Sequence, residues 1–155
     1  MGKIDEIDRR ILTELQRDAG QSLEALSETV ALSRNACWRR IKRLEDEKVI
    51  SGRVALLDPE ALSVGQMVFV ALRTDRHDPD WQEVFTRTVR DIPEIIGVYR
   101  TAGDLDYLLK IRVRDVKDYD ALYQRLIRRV SLSDVSAIFV MEEIKETTAL
   151  PVRAS

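Results

Sequence analysis

A short basic stretch holds the residues of this chain best suited to contact a polyanion. Five cationic residues and no acidic residue lie between Arg34 and Arg43, although the whole chain has 25 Lys and Arg against 27 Asp and Glu. Arginine pairs with guanine edges, asparagine pairs with adenine edges, and further cations hold phosphates. The candidate contact residues are Ser33, Arg34, Asn35, Trp38, Arg39, Arg40, Lys42 and Arg43.

Their spacing indicates a helix with one apolar side and one polar side. Each helical residue advances by about 100°, which separates Cys37, Ile41 and Leu44 from a polar set. The polar set consists of Asn35, Arg39, Lys42 and Arg43. We expect Asn35 and Arg39 to contact bases and the later cations to contact phosphates. Taken alone, such a charge run is as typical of a solvated helix face, and Trp38 is as typical of packing between helices.

Two short helices before this stretch favour contact with DNA. The first is predicted over Asp5–Asp18, the second is capped by Ser22, and the third begins after Ser33 and continues to about Lys48. The connection between the second and third helices is short and has the apolar Leu32 beside its turn. This arrangement is typical of a helix-turn-helix, whose last helix enters a DNA groove.

The pattern changes after the third helix, where β-favouring residues replace the helical spacing. Ile50–Leu57 predicts a short strand, which Asp58-Pro59 ends. The stretch is too apolar for a flexible linker. We therefore divide the chain into a helix-turn-helix domain at 1–52, a β-strand connector at 53–65 and a second domain at 66–155.

The second domain has strand and helix patterns in the order β-α-β-β-α-β. We predict strands at 66–74, 95–100, 107–113 and about 135–144, with helices that begin near Asp78 and Asp115 and a hairpin turn at Gly103-Asp104. The fold class is therefore α+β, with a helix-turn-helix joined to a split βαβ (ferredoxin-like) domain whose helices cover one face of an antiparallel sheet. No further element remains to cover the other face, which predicts a homodimer.

Composition excludes several other classes of protein. The single cysteine, Cys37, rules out an internal disulfide, and the single histidine, His77, leaves little for a metal site. Cys37 lies on the apolar side of its helix, where it is expected to pack as a small apolar residue. The longest apolar run, Met67–Leu72, is far shorter than the roughly 20 residues of a membrane span. We expect a cytoplasmic protein without a cofactor, a metal or a membrane partner.

Several motifs in a fixed order make the chain similar to one known family. They are Ile7–Leu12, Leu32-Ser33, Cys37–Glu45, Ala102–Leu109 and Met141–Glu143. With these motifs the chain resembles, over nearly its full length, the Lrp/AsnC family of feast/famine transcription regulators. The resemblance implies a winged-helix or helix-turn-helix head that binds double-stranded DNA and a ligand-sensing RAM domain. It also implies dimers that often assemble to octamers, and amino-acid effectors bound between subunits.

The same resemblance implies an effector cleft at the hairpin turn. The corresponding residues are Arg100, Ala102, Gly103, Asp104, Leu105 and Asp106. Spacing alone indicates only a turn at Gly103-Asp104, so the ligand assignment depends on the resemblance. Trp38 and the segments 55–60 and 141–151 are most similar to regulators that respond to cysteine, which makes cysteine the expected effector. Arg34-Asn35-Ala36 replaces the proline and threonine of many members, so the DNA target is not implied.

Two other functions stay open at this point. A chromosome-organising protein would bind DNA with little sequence preference and without a ligand. An enzyme is the other alternative, because some relatives of this architecture resemble siroheme decarboxylases. Those enzymes use histidines around the porphyrinoid, whereas this chain has one histidine and shows no nucleophile paired with a base.

Overall fold

The computed structural model describes residues 3–154, which form two compact units. The first unit contains three helices, α1 (Glu6–Arg17), α2 (Leu23–Thr29) and α3 (Arg34–Asp46). The second unit contains, in chain order, β1 (Gln66–Arg73), α4 (Pro79–Arg90), β2 (Ile95–Arg100), β3 (Tyr107–Val113), α5 (Val116–Ile127) and β4 (Asp134–Phe139). The three predicted helices of the first unit and the predicted order β-α-β-β-α-β of the second unit are confirmed.

The boundary between the units lies inside the predicted connector. The first unit runs to Leu56 and also takes in the chain from Lys145 onward, whereas the second unit comprises Leu57–Ile144. The predicted second domain spans all of 66–155, so the grouping of the C-terminal segment with the first unit differs from the prediction. Its cause is direct contact of Leu150 and Val152 with the helical unit, which we call the head.

Helices α2 and α3 begin at the predicted caps. The hydroxyls of Ser22 and Ser33 each accept a hydrogen bond from the N–H three residues later, at 3.1 and 3.3 Å. Asp5 and Asp8 form a capping box, in which each side chain accepts from the other residue's N–H. Between α2 and α3, Ala31 has a φ of 55°. This left-handed conformation costs an L-residue about 1–2 kcal/mol, and it makes the tight turn of the helix-turn-helix.

An apolar core to which all three helices contribute holds the head together. Ile11 of α1, Leu26 of α2 and Leu44 of α3 are at most 2% exposed. Cys37 is buried in the same cluster, which confirms its predicted packing, and burial raises the pKa of its thiol. The thiol therefore stays protonated at neutral pH and packs as a small apolar group.

The second unit is a four-stranded antiparallel sheet in the order β2-β3-β1-β4. The central strand β1 pairs with β3 on one side and β4 on the other, so that Val68 lies opposite both Ile111 and Phe139. Strands β2 and β3 form the predicted hairpin, with Gly103 in the turn between them. The predicted α+β class with a split βαβ domain is confirmed.

The two helices of this unit cover one face of the sheet. Val68 is buried against a cluster that includes Phe85 of α4 and Leu122 of α5. Residues at alternate positions belong to the opposite face, where Tyr99 is 54% and Ile138 is 56% exposed. Neither α4 nor α5 covers this second face, which we call the open face.

Two strand predictions are wrong. The described chain has no strand in the segment 50–57, where Val54 is 80% exposed. A β-ladder requires a neighbouring backbone, and the single chain offers none to this segment. The last strand ends at Phe139 rather than Ile144, because its pairing with β1 stops at Val68.

Candidate nucleic-acid interface and ligand-binding turn

The polar side of α3 is exposed to solvent. Arg34, Asn35 and Arg39 are exposed, and Trp38 is 55% exposed. Lys42 is half exposed and pairs with a carboxylate one turn later in the same helix at 3.3 Å. Five of the predicted contact residues of α3 are therefore accessible to solvent, namely Arg34, Asn35, Trp38, Arg39 and Lys42.

A buried carboxylate of α1 holds two arginines of α3. Asp8 is 0% exposed; its Oδ1 accepts a hydrogen bond from Nη1 of Arg40 at 2.9 Å, and its Oδ2 accepts one from Nη2 of Arg43 at 2.5 Å. Arg40 also reaches Asp5 at 2.6 Å. The bonds with Asp5 and Asp8 raise the pKa of the Arg40 guanidinium. These charge-assisted bonds fix α3 against α1.

Arg40 and Arg43 therefore have a role that the sequence analysis does not assign to them. Their predicted partners are phosphates, whereas the structure ties both to Asp8, with side chains 29% and 39% exposed. A guanidinium has five N–H donors, and the pairs with Asp8 use only part of them. In the described α3, the cations that no carboxylate of α1 holds are Arg34, Arg39 and Lys42.

Asp8 is the functional residue that the sequence analysis misses. It precedes Ile11 and Leu12 by three and four residues, so it lies on the apolar side of α1. A carboxylate on a buried helix face requires a cationic partner, because an unpaired buried charge is strongly unfavourable. The position of Asp8 on the apolar side of α1, together with the arginines of α3, is the sequence feature that could have indicated this ion pair.

Hydrogen bonds fasten the turn between β2 and β3 to the end of β1. The Thr101 N–H donates to the Asp106 carbonyl at 2.9 Å, and Gly103 has a φ of 126°, which favours glycine. The Asp106 N–H donates to the Leu72 carbonyl at 3.0 Å, and the Asp106 carboxylate accepts from the Thr74 N–H at 2.9 Å. The turn therefore has a defined position relative to the central strand.

The structure places all six predicted ligand residues on this hairpin, but they differ in how exposed they are. Leu105 and Asp106 are half-buried, and the exposed ones are Arg100, Ala102, Gly103 and Asp104. Nε of Arg73 donates to the Asp104 carbonyl at 2.7 Å. This bond holds the Asp104 backbone and leaves its carboxylate exposed. The Asp106 carboxylate, in contrast, already has a structural role.

The described residues hold neither a candidate metal site nor a helix that could span a membrane. Between residues 3 and 154 there is no group of three or more His, Cys, Asp and Glu that could hold a metal ion. Among the helices in that range, none is long and apolar enough to cross a membrane.

Two family models match the chain in the regions that carry these sites. The AsnC-type helix-turn-helix domain matches residues 4–45, which include α1 and α2 and nearly all of α3. The Lrp/AsnC ligand binding domain matches residues 67–150, which include nearly all of the sheet and both of its helices. The chain belongs to the Lrp/AsnC family of transcription regulators. The resemblance stated from the sequence motifs is confirmed.

Relatives of this Lrp/AsnC regulator match it from end to end. The glutamate uptake regulatory protein of Zymomonas mobilis is 51% identical over 150 residues, with 97% of this chain and 92% of the relative covered. The DNA-binding transcriptional activator DecR of Escherichia coli is 47% identical over 150 residues, with 96% and 99% covered. A transcriptional regulator of Neisseria meningitidis, solved as a complex with L-methionine, is 35% identical with a TM-score of 0.90, and the match covers 95% and 96%. These matches extend through both domains.

Proposed function

We propose that this Lrp/AsnC regulator binds a specific DNA sequence through the polar side of α3, and that an amino acid held at the β2–β3 turn adjusts this binding. One observation carries the DNA part of the proposal. Helix α3 buries Cys37, Ile41 and Leu44 in the head while it presents Arg39 and Lys42 to solvent. A helix anchored in this way fits the major groove with its polar side towards the bases.

The roles within α3 divide by position along the helix. The start of a recognition helix approaches base edges, so we assign Asn35 and Arg39 to bases, with Arg34 beside them. Lys42 lies further along and is assigned to a phosphate, and the exposed ring of Trp38 to an apolar contact with the duplex. We assign the remaining contacts to residues at the margin of this surface, which are Ser33, Arg40 and Arg43.

A homodimer is part of the proposal, because helix-turn-helix dimers bind two half-sites of one DNA site. The open face exposes Tyr99 and Ile138, and a second copy that covers this face would remove apolar surface from water. A two-fold dimer presents two recognition helices to adjacent major grooves. Assembly of such dimers to octamers stays a prediction from the family resemblance.

Selection of bound duplexes from a random library tests the DNA part of the proposal. We expect a pseudo-palindromic motif with half-sites about 10 base pairs apart, the spacing of two recognition helices in one dimer. Affinity for this selected duplex should fall steeply with salt in mobility-shift titrations, because phosphate contacts release counterions. Equal affinity for every duplex would contradict sequence-specific recognition and favour a chromosome-organising protein.

The ligand part depends on the chemistry of the turn. Backbone N–H groups in a turn hold an α-carboxylate, and an exposed carboxylate such as that of Asp104 holds an α-ammonium group. Asp106 is less suited to this role, because its carboxylate already accepts the Thr74 N–H. The L-methionine complex of the Neisseria regulator supports an amino-acid effector. Cysteine is the effector that we propose, from the resemblance in the sequence.

Asp104→Ala is expected to abolish the response to the amino acid without lowering stability, because Asp104 is exposed. A ligand that prefers the native state raises the melting temperature, by about 5–11 °C when it is present at 100 times its dissociation constant. A thermal-shift screen of the protein amino acids, with cysteine first, measures this rise in the wild type and its loss in the variant.

Asp80→Ala, at an exposed position of α4, is the matched control for that screen and should keep the full rise in melting temperature. An unchanged rise in Asp104→Ala would remove Asp104 from the ligand site. No rise with any amino acid in the wild type would favour a DNA-binding protein that acts without a ligand.

We also propose that the chain is not an enzyme and that it acts in the cytoplasm. The relatives described above are regulators by name. The single histidine, His77, is exposed in the loop before α4. The proposed target is chromosomal DNA, which supports the cytoplasm as the location.

A further inference from the structure

The segment that follows the sheet has an anchor in the second unit. Both carboxylate oxygens of Glu143 accept hydrogen bonds from Arg112 of β3, Oε1 from Nη1 at 2.5 Å and Oε2 from Nη2 at 3.0 Å. Arg112 holds the pKa of Glu143 below its ordinary value, so this carboxylate is ionised at neutral pH. The bidentate geometry fixes the direction in which the chain leaves the sheet.

The same segment has a second anchor on the head. Nε2 of Gln16 donates to the Leu150 carbonyl at 3.1 Å, and the Leu150 N–H donates to Oε1 of Gln16 at 2.6 Å. A side-chain amide of α1 thus forms the pair of hydrogen bonds that a neighbouring strand would form. Two residues later, Val152 packs half-buried against the core of the head, and Pro151 between them restricts the backbone.

Both connections between the two units meet the head at one place. The C-terminal residues 150–153 and the residues 49–54 line the same cleft of about 830 Å³ beside the second half of α1. The connector forms no strand there and exposes Val54 and Leu56. The connector has polar contacts as well, because Arg53 pairs with Glu45 at 2.8 Å and the Gly65 carbonyl accepts from Nη1 of Arg112 at 2.9 Å. The C-terminal segment differs in that it also packs an apolar side chain, Val152, against the core of the head.

The sheet anchor and the ligand-binding turn belong to the same strand. Strand β3 begins at Tyr107, directly after the turn residues 103–106, and Arg112 lies near its other end. The strand is hydrogen-bonded on both sides, to β1 and β2, so it is a rigid element. A ligand that shifts the turn therefore acts on an element that also holds Glu143.

We infer that the segment 143–152 is a tether through which an amino acid bound at the turn changes the DNA affinity of the head. This inference rests on the proposed function. An effector shifts DNA affinity only through a structure that responds to both sites, and such coupling commonly amounts to about 5–150-fold. Release of either anchor removes the link and leaves both binding sites intact.

Two single substitutions test the tether, one at each anchor. Gln16→Ala releases the head anchor and Glu143→Gln weakens the sheet anchor. Gln16 is exposed and alanine is the best helix former, so α1 is retained. The dissociation constant for the selected duplex is measured with and without an equimolar mixture of the protein amino acids. We expect the ratio of the two constants to fall from at least about fivefold in the wild type to near one in both variants.

Gln124→Ala makes the same chemical change in α5, away from both anchors, and should keep the wild-type ratio. The mixture should also raise the melting temperature of all variants equally; loss of this rise in an anchor variant would place that anchor in the ligand site and overturn the tether. Equal ratios in the wild type and both variants overturn the tether alone. A wild-type ratio of one overturns the effector part of the proposed function as well.

Discussion

Replacing Arg39 and Lys42 together by alanine lowers the affinity for the selected duplex by at least about 100-fold and leaves the fold intact. A lost bidentate contact between arginine and a base costs about 1–3 kcal/mol, and a dimer loses it twice. Each lost phosphate contact of Lys42 also reduces the slope of log affinity against log salt by about 1. Mobility-shift titrations at several salt concentrations measure both effects, and circular dichroism checks the fold.

Arg17 and Arg53 provide the matched control for this double variant. Both are exposed or half-exposed cations of the head outside α3, each paired with a nearby glutamate. Their joint replacement by alanine removes the same formal charge and should change the affinity by less than about threefold. Equal losses in the two double variants would mean that the duplex responds only to net charge, and would refute α3 as the reading helix.

The accessible side of α3 could be predicted from the sequence because its signals are local. The hydroxyl of Ser33 and the spacing of Cys37, Ile41 and Leu44 set where the helix begins and which side is buried. Both depend on residues within a few turns of one another, so single-sequence patterns contain them. The exposure of Arg39 on the opposite side then follows from helical geometry.

The roles of Arg40 and Arg43 could not be predicted in the same way. Their partner Asp8 is 32 and 35 residues away in the sequence. Only the packing of α1 against α3 brings these side chains together, and the helical period alone places both arginines on a solvated side. The sequence indicates such a long-range ion pair only weakly and at one partner, here a carboxylate on the apolar face of a helix.

The C-terminal contact on the head leaves no side-chain signal at one of its two partners. Leu150 uses its backbone N–H and carbonyl to bind Gln16, and every residue except proline has both groups. The β-favouring pattern of 50–57 misleads for a related reason, because strand formation needs a second backbone that residue types do not reveal. Sequence patterns therefore locate the two domains better than they locate the segments that join them.

Asp8→Asn is expected to destabilise the head by about 2–3 kcal/mol, measured by urea unfolding of the helical signal. Asparagine keeps the shape of the side chain but removes the charge that Arg40 and Arg43 contact. Breaking a buried ion pair costs about 3–5 kcal/mol. Water around the two arginines, whose side chains are 29% and 39% exposed, reduces that cost. Since α3 also loses its attachment to α1, affinity for the selected duplex should fall with stability.

Asp46→Asn is the control, because it removes a carboxylate from the exposed pair with Lys42 in α3. An exposed pair contributes less than about 1 kcal/mol, and salt screens it. The Asp8→Asn effect should persist at high salt, since salt screens buried charges much less. Equal costs for the two variants would show that Asp8 acts only as a surface charge. The orientation of α3 would then depend on the apolar contacts of Cys37, Ile41 and Leu44 alone.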